Sequence, residues 1–253
     1  MGFLGALVSK VSAVVLPVVL VLLDVFPLRR VSGSPREIFF GLARCVFEKW
    51  PMFGLAFGVG LLGTVGLSRA GGLPDLDALG FTTRLANCLV SHFKYLSKIV
   101  APVDLVALDP VLYLYGWGDT KVWIGGGVLA GLTLLFWGRR RSYPGIFWMW
   151  VIYLILMIPY TGLVQAGRAH MADRYTYLAA VPLSIAAGAF FWKVWEKLRL
   201  LRLLGYLWLG ALGLGRLSLA DMTRNQVAVW KDSVTLWGHV VEVNPANPFG
   251  WIN

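Results

Sequence analysis

The chain has 253 residues, of which 58% are hydrophobic and 14% charged, and its mean hydropathy is +0.69. A soluble domain of this length would have about half of its residues apolar and about a quarter charged. The excess apolar surface is therefore expected to face lipid. The formal net charge of +10 does not indicate nucleic-acid binding, because no basic stripe alternates with stacking aromatic residues on a polar segment. The sequence therefore predicts an integral membrane protein that binds the lipid bilayer and no nucleic acid.

Six apolar stretches are candidates for membrane spans, which need about 20 mostly apolar residues each. The expected fold class is all-α, a polytopic membrane helix bundle of about six transmembrane helices. The candidate spans cover residues 3–26, 51–68, 122–138, 144–164, 175–195 and 200–220.

The basic residues between the spans predict the orientation. They concentrate in the connections after the first, third and fifth spans, which the positive-inside rule assigns to the cytoplasm. Both termini and the segment "AHMADRYTYL" (169–178) then lie outside. The sequence therefore predicts a multi-pass inner-membrane protein with periplasmic termini. The basic residues in the three connections are Arg29, Arg30, Arg36, Arg44 and Lys49, then Arg139, Arg140 and Arg141, and then Lys193, Lys197, Arg199 and Arg202.

Two further segments have the pattern of amphipathic helices. In 82–100, Leu85, Leu89, Phe93 and Leu96 recur at helical spacing, which is typical of a helix lying in the outer interface. A re-entrant helix would give the same pattern. Its basic residues, Lys94 and Lys98, either rest on anionic headgroups or guide a lipid ligand. Residues 35–50 form the second such segment, on the cytoplasmic side.

The tail, residues 230–253, is polar and amphipathic, and Asp232 or Ser233 is a candidate helix cap. Ser233, Trp237, Pro245 and Trp251 follow the spacing of a tetratricopeptide repeat. One partial repeat cannot bury its own apolar face, so further repeats are expected downstream. A coincidental amphipathic helix is the alternative interpretation.

Four stretches together carry a resemblance to a known family. The chain resembles the bacterial membrane proteins with C-terminal tetratricopeptide repeats that are similar to protein O-mannosyltransferases, in the GT-C glycosyltransferase superfamily. The stretches, in chain order, are "SKVSAVVLPVVLVLLDVFPLRR" (9–30), "RLANCLVSHFKYLSKIVAPVDLV" (84–106), "MADRYTYL" (171–178) and "VWKDSVTLWGHVVEVNPANPFGWIN" (229–253).

The resemblance implies an enzyme that transfers a sugar from a polyprenyl-phosphate carrier to an acceptor at the outer membrane face. The repeats would bind a protein or peptide acceptor. Residues 1–221 would be the transmembrane GT-C-like domain and 222–253 the start of a periplasmic repeat region. The family's catalytic acid lies in an outer loop that is expected to precede this chain, and the stretch 106–116 lacks the family's histidine, so the catalytic residues are left unassigned. No soluble cofactor is required, and a divalent metal is left open.

The segment "AHMADRYTYL" is the candidate site for the carrier phosphate. Arg168, His170 and Arg174 are positioned to bind phosphate, Asp173 to orient Arg174 or Arg168, and Tyr175 and Tyr177 to contact the sugar. Lys10, inside the first span, either contacts the same phosphate or extends to the interface. The alternative is an interfacial anchor without ligand. Asp24, near the cytoplasmic end of the first span, is expected to form an ion pair there. The alternative function is a non-catalytic membrane anchor that presents repeats for protein binding.

Overall fold

The chain is almost entirely helical in a computed structural model, which describes residues 2–69, 80–110, 115–163, 169–199, 202–245 and 247–252. The expectation of a helical fold is confirmed. Short 3-10 turns and one antiparallel pair of very short strands complete the described elements. The helices are α1 (Gly2–Ser9), α2 (Leu16–Val25), α3 (Pro35–Glu48), α4 (Trp50–Arg69), α5 (Phe81–Val100), α6 (Thr120–Gly138), α7 (Pro144–Met157), α8 (Thr176–Leu198), α9 (Arg202–Val229), α10 (Ser233–Val243) and α11 (Pro248–Ile252).

Three helical segments in the described ranges are long and apolar enough to cross a membrane, namely Thr120–Gly138, Asp173–Leu198 and Leu203–Val229. The helices α3 and α4 meet at a bend of 59° and would make a fourth crossing if the bent pair is one span. The first and fourth expected spans correspond to the shorter apolar helices Ser12–Val25 and Pro144–Tyr160. A membrane protein is thus supported, and the number of six spans stays a prediction.

The structure corrects the first expected span, which is not one continuous helix. The helix α1 ends at Ser9, Lys10 is extended, and a 3-10 turn over Val11–Val15 precedes α2. The Ser9 hydroxyl donates to the Gly5 carbonyl at 2.8 Å, a local bond that competes with regular helix continuation. Pro17 lies in the first turn of α2, where its missing N–H costs nothing. The sequence pattern missed this break because every neighbour of Lys10 is compatible with a span.

The end of α2 is held to α3 by ion pairs. The Asp24 carboxylate is buried, accepts from Arg30 at 3.1 Å and also pairs with Lys49. Arg30 reaches Glu48 at 2.7 Å. The ion pairing expected for Asp24 is confirmed. At the start of α3, Ser34 and Glu37 form a capping box, which satisfies two backbone N–H groups.

The helix α5 is present as expected, but its surroundings differ from those of a helix lying on a surface. It packs so closely on α6 that a Cβ atom at Gly125 would lie 2.7 Å from the Leu89 carbonyl oxygen. Its buried residues include Ala86, Val90 and Tyr95. The apolar stripe expected for α5 is only partly buried. Small and polar residues make the tightest contacts, because they allow the backbones of α5 and α6 to approach each other.

The largest core cluster joins α2, α5, α7 and α8 beneath the loop that follows α5. Trp150 stacks on Tyr153 with ring centroids 5.3 Å apart, and the Trp150 Nε1–H donates to the Thr133 hydroxyl at 3.1 Å. The fully or nearly buried members are Val19, Tyr95, Trp150, Ile152, Tyr153, Leu156, Met157, Met171 and Ala179.

The two strands tie distant loops together. Strand β1 (Asp109–Pro110) pairs antiparallel with β2 (Ala169–Met171). Met171 is buried in the core, and the Ala172 N–H donates to the Tyr95 hydroxyl at 3.3 Å. The start of "AHMADRYTYL" is therefore fixed against α5 and against the loop that follows α5.

The tail follows the long helix α9. The helix α9 continues through position 221 to Val229, so the change from apolar helix to tail occurs at Trp230. Asp232 caps α10 by accepting from the Thr235 N–H at 2.8 Å, which confirms the predicted cap. Hydrogen bonds from Thr235 hold the pKa of Asp232 below its usual range.

Candidate anion-binding pocket

A pocket of about 380 Å³ lies between α5, the loop after α5, the start of α6 and the end of α10. Three lysines and one aspartate line it, so lysines outnumber carboxylates on its walls. The lining residues are Lys94, Lys98, Asp104, Val106, Tyr115, Lys121, Val243 and Asn244. We call this the lysine pocket.

The buried Tyr115 ring brings two of the lysines together. The Nζ atoms of Lys94 and Lys121 lie 5.4 Å and 5.8 Å from its centroid, within the range of a cation–π contact. Asn87 holds the Tyr115 backbone: its amide accepts from the Tyr115 N–H at 3.3 Å and donates to the Tyr115 carbonyl at 3.4 Å. The pocket thus depends on a buried amide of α5 to set the position of the ring between two ammonium groups.

The third lysine is held in a separate ion pair. The Lys98 ammonium contacts both Asp173 carboxylate oxygens, at 2.8 Å and 3.0 Å, and donates to the Asp104 carbonyl at 3.2 Å. Asp173 also accepts from the Val106 N–H. The Asp173 carboxylate therefore neutralises the Lys98 ammonium.

A second cluster of cations and aromatic rings also contacts the loop after α5, through Arg174. Tyr160 and Tyr175 stack with centroids 4.4 Å apart and an interplanar angle of 19°. The Lys10 ammonium is 5.5 Å from each centroid. The Arg174 guanidinium lies 5.4 Å from the Tyr175 centroid and donates to the Ala107 carbonyl at 3.1 Å. The break after α1 therefore puts Lys10 beside residues that are far from it in sequence.

The residues expected from the sequence are thus divided between these two clusters. Lys94 and Lys98 line the lysine pocket with Asp173 behind them, and Lys10, Arg174 and Tyr175 form the second cluster. Asp173 pairs with Lys98 instead of orienting Arg174.

Of the other candidates, only Tyr177 has a side chain that the structure describes. Tyr177 is 84% exposed on α8 and touches neither group. Arg168 lies outside the described residues, as does the side chain of His170, whose backbone belongs to β2.

Of the lining residues, the sequence indicated only Lys94 and Lys98 as phosphate ligands, and it gave no indication of Val106, Tyr115, Lys121, Val243 and Asn244. Lys121 directly precedes the third candidate span, and nothing in its local sequence shows that α6 starts beside Lys94. The packing of α5 on α6 creates this proximity. The aromatic segment 113–117 between two helices draws attention to Tyr115. Its contact with Asn87 spans 28 residues, however, and no periodicity of the sequence predicts it.

The tail closes one side of the lysine pocket. The His239 Nε2 lies 3.2 Å from the Leu105 carbonyl, and the buried Asn247 side chain donates to the Leu108 carbonyl at 2.9 Å. These contacts place Val243 and Asn244 on the pocket wall. The end of α10 is therefore part of the pocket wall.

Comparisons with known proteins identify no relative, since no family model, curated protein or solved structure matches the chain. Among the described residues, no group of three or more His, Cys, Asp or Glu side chains is arranged to hold a metal ion.

Proposed function

We propose that this chain is the membrane-embedded part of a GT-C-like glycosyltransferase that takes a sugar from a polyprenyl-phosphate carrier and transfers it to an acceptor at the outer membrane face. The observation that carries the proposal is the lysine pocket, where Lys94, Lys98 and Lys121 surround one cavity. The sequence resemblance supports the enzyme class, and the pocket supports the phosphate ligand.

The chemistry of the pocket suits a phosphate leaving group. In the transfer, the bond between the sugar anomeric carbon and the phosphate oxygen breaks, and a bond to an acceptor oxygen forms. Negative charge develops on the departing phosphate, and fixed cations lower the energy of that state. Ammonium groups supply such point charges. The volume of about 380 Å³ lies within the range of small-molecule sites.

The depth of the pocket supports a ligand carried by lipid. Lys121 lies in the first turn of α6, whose 19 residues correspond to about 28 Å of helix. The hydrocarbon core of a bilayer is about 30 Å thick. If α6 spans the membrane, Lys121 lies at headgroup level, where the phosphate of a polyprenyl carrier leaves the hydrocarbon.

The distribution of basic residues supports a periplasmic position of the lysine pocket. Under the positive-inside rule, the turn after α6 is cytoplasmic and the lysine pocket is periplasmic. The proposed topology keeps about six crossings in the inner membrane, with the broken α1–α2 segment and α7 among them and both termini outside. In this topology the start of the tail is periplasmic and reaches an acceptor beside the pocket.

Arg174 supports the site through the loop that lines it. Its guanidinium donates to the Ala107 carbonyl, next to Val106 on the pocket wall. We expect Arg174→Ala to abolish sugar transfer without loss of membrane insertion. Arg224→Ala, an exposed change on α9, is the control. Unchanged transfer by Arg174→Ala would remove Arg174 from the site.

The direct test is ligand binding by the purified protein. Undecaprenyl phosphate in phosphatidylcholine nanodiscs is the probe, and Lys94→Gln and Lys121→Gln are the variants. Each is expected to weaken binding by about tenfold, since each removes one cation from the phosphate contact. Lys231→Gln, an exposed lysine after α9, should leave binding unchanged. Equal binding by all four proteins would contradict the proposal.

A second candidate function is a non-catalytic anchor that presents tetratricopeptide repeats for protein binding. The observation that favours it is the apolar surface left on the tail, where Val234 and Trp251 are exposed on α10 and α11. Repeats bury such residues by stacking on neighbours. Binding of partner proteins, without binding of undecaprenyl phosphate and without sugar transfer, would establish this alternative.

A further inference from the structure

The end of α6 opposite the lysine pocket carries a concentrated positive surface. Three arginines follow α6 directly, and three more basic residues lie at the end of α8. We call this surface the basic patch, made of Arg139, Arg140, Arg141, Lys193, Lys197 and Arg199. It is separated from Lys121 by the length of α6, about 28 Å for 19 residues.

The fold brings these two runs of sequence to one place. The Lys193 ammonium lies 4.4 Å from the centroid of the Tyr143 ring, and Tyr143 follows the three arginines. The start of α9 is close as well, because a Cβ atom on Gly205 would lie 3.3 Å from the Arg199 Cα. The end of α8 and the turn between α6 and α7 therefore form one surface.

The charges of the basic patch are not neutralised within the described part of the chain. None of its six residues takes part in an ion pair there. Glu196, the acidic residue between them in sequence, accepts instead from the Trp192 Nε1–H at 3.1 Å. Arg140 lies over the Trp137 ring at 4.1 Å and donates to the Trp137 carbonyl. This contact leaves its positive charge uncompensated.

An exposed apolar belt borders the basic patch. On α6 it consists of Leu134, Leu135 and Trp137, and on α8 of Phe190 and Trp192, all of them exposed. Trp is typical of the membrane–water interface, and exposed leucines of such a helix face acyl chains. A ligand that matches both surfaces has a negatively charged headgroup and hydrocarbon tails.

We propose that the basic patch binds the headgroup phosphate of anionic glycerophospholipids, such as phosphatidylglycerol, at the membrane face opposite the lysine pocket. Clustered Lys and Arg beside a membrane helix attract anionic lipid. The Arg guanidinium groups bind phosphate oxygens through paired N–H donors, and the apolar belt contacts the acyl chains. This inference does not depend on the proposed transfer reaction, because it concerns other residues and another ligand.

The test uses the full chain purified in a neutral detergent and titrated with phosphatidylglycerol, with lipid adducts counted by native mass spectrometry. The variant Arg139→Gln/Arg141→Gln/Lys193→Gln removes half of the cations of the patch. It is expected to bind phosphatidylglycerol at least about tenfold more weakly than the unchanged chain. Phosphatidylcholine should give few adducts with either protein.

A matched control removes the same charge elsewhere. Arg216→Gln/Arg224→Gln/Lys231→Gln changes three cations toward the other end of α9 and should bind phosphatidylglycerol like the unchanged chain. Equal loss in both triple variants would mean that net charge, not the patch, attracts the lipid, and would overturn the proposal. Unchanged binding by the patch variant would also overturn it. If millimolar inorganic phosphate displaced all of the bound lipid, the basic patch would be a site for free anions and not for lipid headgroups.

Discussion

The ion pair between Lys98 and Asp173 offers a quantitative test of how the loop of "AHMADRYTYL" is attached to α5. The perturbation is Asp173→Asn, which removes the negative charge and keeps one oxygen that can accept from the Val106 N–H. The two side chains are 20% and 15% exposed. Lys98 would then be left mostly buried beside a neutral partner.

The magnitude follows from that burial. Exposed ion pairs contribute about 0–1 kcal/mol, and removing one partner of a fully buried pair costs about 3–5 kcal/mol. An intermediate pair with bidentate contacts is expected to cost about 2–3 kcal/mol. For a chain of this size, this corresponds to a Tm lower by roughly 4–12 °C.

The assay is thermal unfolding in one detergent, followed by tryptophan fluorescence, for Asp173→Asn, Lys98→Met and the double variant. The loss of unfolding free energy in the double variant should be about 1–3 kcal/mol smaller than the sum of the losses in the two single variants. The reason is that removing both partners leaves no unpaired charge. Lys121→Met, an exposed change on the same pocket, is the control and should shift stability by less than about 0.5 kcal/mol. Strictly additive losses would refute the pairing.

Three further predictions concern packing and titration. Burial lowers the pKa of His92 below its ordinary value of 6.5. Below about pH 6.5 the unfolded chain therefore binds a proton that the folded chain does not, and Tm should fall from pH 7.5 to pH 5.5. His92→Gln should reduce that fall in Tm, and an equal fall in the variant would contradict the prediction. Gly125→Ala should cost about 1–3 kcal/mol of unfolding free energy by driving a Cβ toward the Leu89 carbonyl, whereas Gly131→Ala, which has open space, should be neutral in the same melt. Asn247→Ala should weaken tail docking by about 1–3 kcal/mol and speed amide exchange in α10, while exposed Asn225→Ala should not.

The features predicted correctly from sequence are those with a local physical cause. The runs over α6, α8 and α9 are long and apolar, Asp232 has the sequence context of a cap, and the spacing within α5 has the helical period. Asp24 lies close in sequence to the arginine with which it pairs. Each of these depends on neighbours within one or two turns of the chain.

The features that sequence reasoning missed depend on contacts between distant segments. At the helix break, Lys10 lies beside the rings of two tyrosines that are more than 140 residues away in sequence. The lysine pocket exists because α5 and α6 approach each other at Gly125. Asp173 stands next to Arg174 in sequence, yet the turn before α8 directs it to Lys98. No periodicity encodes such contacts, because they follow from how completed helices pack.

In the proposed topology, α6 crosses the membrane with the lysine pocket at its outer end and the basic patch at its inner end. The most direct measurement is labelling of single cysteines, Lys121→Cys and Arg141→Cys, in intact cells with a maleimide that does not cross membranes, after Cys45 and Cys88 have been replaced by Ser. We expect the reagent to label position 121 in intact cells and position 141 only after the membrane has been permeabilised. Labelling of both positions from outside, or of position 141 alone, would contradict the account.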